Sequence, residues 1–196
     1  QGLAARKEVE SAAAYGEDTI DLNVLREQLI KVENDKTAQD ALFEKSKSSG
    51  ILMIATVEVH GPETANLLKT LAHLRALLAV QVWNAEVRLV KPDEGKFFVF
   101  GESARATLAA ALQIAQVAEA FPDWLRTVAP ELAKGGKIPT PKVKIGIEAG
   151  QVLLLPGDCY GDPVNVASKL GEDLAEEGQI CLGAAFVKKA REDSGA

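Results

Sequence analysis

The sequence predicts an α+β domain in which helices pack on a largely antiparallel sheet. Three observations point there. Short apolar, β-branched runs recur at 51–59, 87–90, 97–100, 143–147 and 151–155, and longer stretches between them carry apolar residues at helical spacing. The turn-forming run Pro92-Asp93-Glu94-Gly95 joins two of the strands directly, which makes them antiparallel neighbours.

In chain order, residues 1–48 contain no strand-like run. Leu22, Leu25, Leu29 and Val32 recur at helical spacing in a charged background, so this stretch reads as a helical lead-in and linker. The stripe covers too few heptads for a coiled coil and suits packing on the chain's own domain. Lys45 to Gly50 (KSKSSG) reads as flexible polar punctuation, and ILMIATVEV, Ile51 to Val59, as a buried strand opening a domain over 49–196. Thr64 to Val80, with Leu67, Leu68, Leu71, Leu74, Leu77 and Leu78, predicts a helix with a broad apolar face. A hairpin of Val87–Val90 and Phe97–Phe100 follows. The Ala-rich stretch Ala104 to Phe121 predicts a second helix, ended by Pro122 and packed on the same side of the sheet as the first. Asp123 to Pro141, with its prolines and Gly135-Gly136, reads as a surface connection. Val143–Ile147 and Gln151–Leu155 read as strands flanking Glu148-Ala149-Gly150, followed by a helix at Val164–Leu174, a short strand at Ile180–Leu182 and a closing helix at Ala184–Arg191.

The formal net charge of -6 argues against a nucleic-acid partner, because a phosphate backbone is bound by clustered Lys and Arg. A small phosphorylated ligand needs only a local field and stays open. No apolar run is long enough to span a bilayer, so this segment is not expected to insert into a membrane. The 2 histidines, His60 and His73, are too few for a multi-histidine metal cage. Cys159 and Cys181 form neither a CxxC pair nor a disulfide framework, which favours the cytoplasm or another reducing intracellular compartment.

The segment KIGIEAGQVLLLPGDCYGDPVNVASKLGEDLAEEGQICLG, Lys144 to Gly183, is the most specific part of the chain. Its strand, loop and G-x-x-V-N-x-A-S-K-L helix resemble the class III adenylyl and guanylyl cyclase domain. Weaker matches fall upstream in the right order: a strand leading into EVHG, a helix, the hairpin around KPDEGKFFVF and the Ala-rich helix. The resemblance covers about Ile51 to Ala190 and implies the class III nucleotidyl cyclase fold with its ferredoxin-like core. It also implies conversion of a nucleoside triphosphate to a 3′,5′-cyclic monophosphate and pyrophosphate. In that family the sites lie between two such domains, one supplying metal carboxylates and the other a purine reader, an Asn and an Arg. The loop before Asp158 is shorter than in well-known members, and the chain is expected to stop before the family's last strands.

Carried over residue by residue, Asn165 matches the Asn that orients the ribose, and Lys169 stands where the family has its transition-state Arg. A lysine keeps the charge but loses the two-pronged hydrogen bonding of a guanidinium, so phosphate stabilisation should be weaker. Asp158 and Lys91 match the adenine-reading pair, an acceptor for the N6 amine and a donor for N1. For Mg²⁺ or Mn²⁺ the resemblance points to Glu58 and Glu94, both glutamates where the family has aspartates; one of two registers puts Gly95 rather than Glu94 at the second position. A longer carboxylate side chain is a poor match for an ion that demands near-octahedral geometry.

Each of these residues also has a plainer reading. Asn165 and Lys169 can be solvated helix residues a turn apart, Asp158 and Gly161 turn formers, Glu58 a strand-end carboxylate, and Glu94 a turn residue, which for Glu94 is the better reading. The functional expectation is a cyclase-homology domain in cyclic-nucleotide signalling that takes ATP or another purine nucleotide to cyclic AMP and pyrophosphate. It would be weakly active as a homodimer, or the substrate-reading half of a heterodimer. The alternative is a non-catalytic subunit that keeps the fold for assembly within a larger complex.

Overall fold

A computed structural model of the protein describes residues 21–59, 69–70, 72–78, 86–93, 95–133, 138 and 140–195. The lead-in forms two short helices, α1 (Leu22–Lys31) and α2 (Lys36–Lys45), each begun by an aspartate: the side chain of Asp21 accepts from the amides of Asn23 and Val24, and that of Asp35 from Ala38. Such caps satisfy amide groups that the first turn leaves without partners. The domain then runs β1 (Ser48–Glu58), α3 (helical at 69–70 and 72–78), β2 (Arg88–Asp93), β3 (Lys96–Gly101), α4 (Ala104–Val128), α5 (Pro130–Ala133), β4 (Lys142–Leu155), β5 (Asp158–Tyr160), α6 (Asp162–Lys169), a π-helical turn (Leu170–Leu174), β6 (Ile180–Leu182) and α7 (Ala184–Ser194).

The strands form one sheet in the order β2-β3-β1-β4-β5, antiparallel throughout, with β6 parallel to β4 on its outer side. The expected α+β architecture is therefore the observed one. β1 is central and buried on both faces, which is why its sequence is a continuous apolar run rather than an alternating one. Met53, Ala55 and Val57 face a large core with Leu74 and Leu78 of α3, Ile114, Phe121 and Leu125 of α4, and Phe186 of α7. The helices α3 and α4 thus lie on one side of the sheet, as expected. On the other side Leu52, Ile54, Phe100, Val152, Leu154 and Cys159 pack with Ala167 of α6. Each such aliphatic or aromatic side chain, removed from water, contributes about 1.5–3 kcal/mol before entropy is counted.

Several expected boundaries are corrected. β1 starts inside the presumed linker, at Ser48, because Gly50 pairs with Gly150 and the Phe100 ring lies over it. Asp93 pairs with Lys96, so β2 runs on through Pro92 and Asp93, two residues expected in the turn. Pro122 does not end α4; the helix continues to Val128. A proline there removes one backbone hydrogen bond, which typically costs about 3 kcal/mol, and burial of Phe121, Pro122 and Leu125 opposes that cost. Asp123 to Pro141 is consequently not a surface connection: it holds the end of α4, all of α5, and the buried Ala129, Ile138 and Pro141.

The largest correction concerns β4. Val143–Ile147 and Gln151–Leu155 are one strand of 14 residues, with no break at Glu148-Ala149-Gly150. Glu148 pairs with Leu52 in the register and is only 8% exposed. Its carboxylate is accommodated because Oε1 accepts from the amides of Phe186 and Ala149, both at 2.8 Å. Phe186 lies in the first turn of α7, so the carboxylate sits against the positive end of a helix. The helix expected over Val164–Leu174 is α6 followed by the π turn, in which the Ala175 amide reaches back to the Leu170 carbonyl at 2.9 Å. α6 rests directly on β4: a Cβ at Gly146 would lie 2.0 Å from the Ala167 carbonyl oxygen.

Candidate functional site

The β4–β5 connection is Pro156-Gly157, with Leu155 paired to Asp158 and Gly157 at φ +76°. Proline followed by a positive-φ glycine is the composition of a type II turn, and it fixes Asp158 at the first position of β5. On the far edge of the sheet, β2 carries an irregularity between Leu89 and Lys91: Leu89 opposes Val99 while Lys91 opposes Phe98. The extra residue is Val90. A bulge re-aims the side chain that follows it, and here Val90 packs with the α6-side core while the Lys91 ammonium lies 5.6 Å from the Phe98 ring centroid.

The sheet curls enough to bring its two edges together, and Lys91 Nζ lies 3.6 Å from Asp158 Oδ1. Both side chains are about one-third exposed, so the pair is open to solvent on one side. The carboxylate is further held by its own strand. Oδ1 accepts from the Cys159 amide at 2.9 Å and Oδ2 from the Tyr160 hydroxyl at 2.8 Å. Burial, with the Asp158 charge as a smaller cause, pushes the Cys159 thiol up to about 12, so it stays protonated and behaves as a packing group. Tyr160 is displaced upward too, first by its hydrogen bond to Asp158 and then by that carboxylate's charge.

Gly161 begins α6 directly after β5, with Pro163 buried in the first turn. Asn165 and Lys169 stand on the exposed face of this helix, one turn apart, and take no part in the Lys91–Asp158 pair. The helix is followed by Glu172, whose Oε2 receives Lys96 Nζ at 2.8 Å, tying the β2–β3 hairpin to the π turn.

Glu58 is the last residue of β1 and is exposed, four positions beyond Ile54. Ile54 stands level with Phe98 and hence with Lys91, so Glu58 is displaced from the reading pair by roughly 13 Å along the strand. Its cross-strand partner is Lys142, which is itself ion-paired with Glu177. Glu94 and His60 lie outside the described residues. A divalent ion of the kind the resemblance implies needs converging oxygen ligands. Among the described residues no group of three or more His, Cys, Asp or Glu side chains converges. They supply Glu58, with Lys142 across from it in the register, and this alone does not make a metal centre; Glu94, the other expected ligand, is not among them.

Sequence reasoning missed Tyr160, Glu148 and the Lys96–Glu172 link. Tyr160 carried a usable signal, since a residue two positions after Asp158 in a strand returns to the same face. Glu148 carried the opposite signal, because a glutamate next to Ala-Gly reads as a loop. Nothing in the sequence pairs Lys96 with Glu172.

No family model matches the sequence, and no curated protein matches it at the sequence level. Solved structures do. The chain is similar to the catalytic core of a rhodopsin-guanylyl cyclase with converted specificity, solved with ATPαS (TM-score 0.59, 19% identity, 73% of this chain and 81% of that one). It is also similar to an adenylate/guanylate cyclase/hydrolase from Silicibacter pomeroyi (TM-score 0.53, 24% identity, 74% and 82%). A third is the guanylyl cyclase domain of the RhoGC fusion protein from the aquatic fungus Blastocladiella emersonii, described as dimeric (TM-score 0.59, 15% identity, 74% and 84%). Among the described residues no helix is long and apolar enough to cross a membrane. With its curled antiparallel sheet, the two helices on one face and α6 on the other, the chain has the fold of a class III nucleotidyl cyclase domain.

Proposed function

We propose that this domain reads a purine nucleotide with Lys91 and Asp158 and acts in cyclic-nucleotide signalling, as a weak ATP-to-cyclic-AMP cyclase or as the substrate-reading half of a paired assembly. The observation that carries the reading is the 3.6 Å approach of Lys91 Nζ to Asp158 Oδ1 from opposite edges of the sheet. A fixed acceptor beside a fixed donor complements the amine and ring nitrogen of adenine. Asn165 would hold the ribose. Lys169 would meet the phosphates as a point charge where a guanidinium could grip two oxygens, so it lowers the barrier of the in-line displacement less. Glu58, well along the strand from the reader, fits a second copy or a homologous domain completing the site. The two cysteines, one buried and one half-buried and both free, suit a reducing compartment.

The test is cyclic-nucleotide production from ATP and from GTP, with Mg²⁺ or Mn²⁺, by the domain alone. Expected is slow formation of cyclic AMP, faster with Mn²⁺; a turnover of about 1 to 1,000 per second with Mg²⁺ would contradict the weak-cyclase reading. The second reading, a non-catalytic subunit that keeps the fold for assembly, is favoured by Glu58 standing opposite a lysine at the far end of β1, with no cluster of three or more metal-ligating side chains among the described residues. It predicts no product with either metal and no nucleotide binding by calorimetry.

A further inference from the structure

We infer that Tyr160 is a positioning residue for base selectivity, acting through Asp158. The inference rests on the purine-reading assignment above and extends it to a residue that the resemblance does not supply.

A carboxylate reads a base well only if its plane is fixed, because a rotating group offers its lone pairs to amine and ring-nitrogen donors alike. Asp158 is fixed at both oxygens. The Cys159 amide donates to Oδ1 at 2.9 Å, which any residue at position 159 would also provide. The Tyr160 hydroxyl donates to Oδ2 at 2.8 Å, which is a property of this side chain. Each oxygen keeps lone-pair capacity beyond these bonds. Lys91 lies near Oδ1, so its charge and the Tyr160 bond act at different oxygens.

The Tyr160 ring is itself located. It is half-exposed, but one side lines an apolar groove of about 450 Å³ with Leu25 of α1, Phe43 of α2, and Leu153 and Leu155 of β4. The lead-in helices therefore reach the wall that orients the carboxylate. The upward displacement of the phenol has this hydrogen bond as its largest cause.

The experiment compares wild type and Tyr160→Phe by calorimetric titration with non-hydrolysable analogues of ATP and GTP. Phenylalanine keeps the ring in the groove and removes only the donor. Expected is a loss of ATP-analogue affinity of roughly three- to tenfold with GTP-analogue affinity unchanged, so that the preference shrinks. An unchanged ratio overturns the inference while leaving the purine reading intact. Equal affinities in the wild type overturn the purine reading, and this inference with it. A nucleotide-free readout separates these outcomes from absence of the bond. In a Tyr15→Phe background, Tyr160 is the one remaining tyrosine, and its phenolate absorbance is titrated with and without Asp158→Asn. The midpoint is expected to fall toward the ordinary tyrosine value when the carboxylate charge is removed; no change means that the hydroxyl does not hold Asp158, which also overturns the inference.

Discussion

The sheet face under α6 has two ends that are built differently. Where β2 and β5 meet, Asp158 has hydrogen-bond partners at both oxygens and a lysine 3.6 Å away, all oriented by a bulge and a tight turn. Where β1 runs out, Glu58 is exposed opposite Lys142, and nearby Lys96 and Lys142 are occupied by Glu172 and Glu177. A planar base asks for fixed donors and acceptors, whereas a metal-bound triphosphate asks for converging anions. The described residues equip the face for the first task more fully than for the second. What the two ends share is α6 and its π turn, which follow Gly161 at the first end and reach Lys96 through Glu172 at the other.

That shared support offers the harshest way to break the comparison. Gly146→Val places a side chain where a Cβ alone would lie 2.0 Å from the Ala167 carbonyl oxygen. Helix and strand backbones must separate, so destabilisation above about 4 kcal/mol is expected. Thermal unfolding followed by circular dichroism should show a lost or strongly lowered transition. A variant as stable as wild type would mean that α6 is not seated on β4.

Removing the reader itself is a smaller and more selective change. Asp158→Ala should bring a preference of roughly tenfold for ATP over GTP close to unity, a change of about 1.4 kcal/mol, without altering the unfolding midpoint much. Equal loss for both nucleotides would assign Asp158 to general binding instead. Lys169→Arg restores a guanidinium fork and should raise residual cyclic-nucleotide formation by roughly three- to tenfold; a fall would show that the phosphates lie elsewhere. The smallest effect is expected at the other end, where Lys142→Ala removes a half-exposed ion pair and should cost less than about 1 kcal/mol in urea unfolding. A larger cost would mark that end as structurally organised after all.

Alkaline pH probes the reading end without mutation. Cys159 is displaced from 9.0 to about 12 in the fold. A thiol harder to ionise when folded contributes stability that is fully present below its unfolded value and is lost as pH rises through the folded one. Stability should therefore decline between pH 9 and about 12, less steeply in Cys159→Ala.

The strands and main helices could be read from the chain because periodicity and burial agree in them: the apolar run of β1 and the 104–121 portion of α4 leave little choice. Boundaries failed where a local signal was overridden by packing. Pro122 is a helix breaker except when the turn that follows is buried, and Glu148 looks like a loop until α7 supplies its donors. The juxtaposition of Lys91 with Asp158 was legible only through the resemblance, since curl of a sheet and a bulge at Val90 leave no periodic trace. Tyr160 could have been found from strand alternation alone. Glu94 and His60 fall outside the described residues.

The central place of β1 has a consequence for how the chain is made. Its partners β3 and β4 begin at Lys96 and Lys142, long after Ser48 has left the ribosome. At about 5–20 residues per second, the stretch from β1 to β4 takes roughly 5 to 20 s to synthesise. Through that interval the uncharged run Ile51 to Val57 lacks its β4 neighbour, and it has the β-propensity and low charge of an aggregation-prone segment. Yield of soluble protein should thus depend on translation speed and on holdase chaperones more than the stability of the finished fold would suggest.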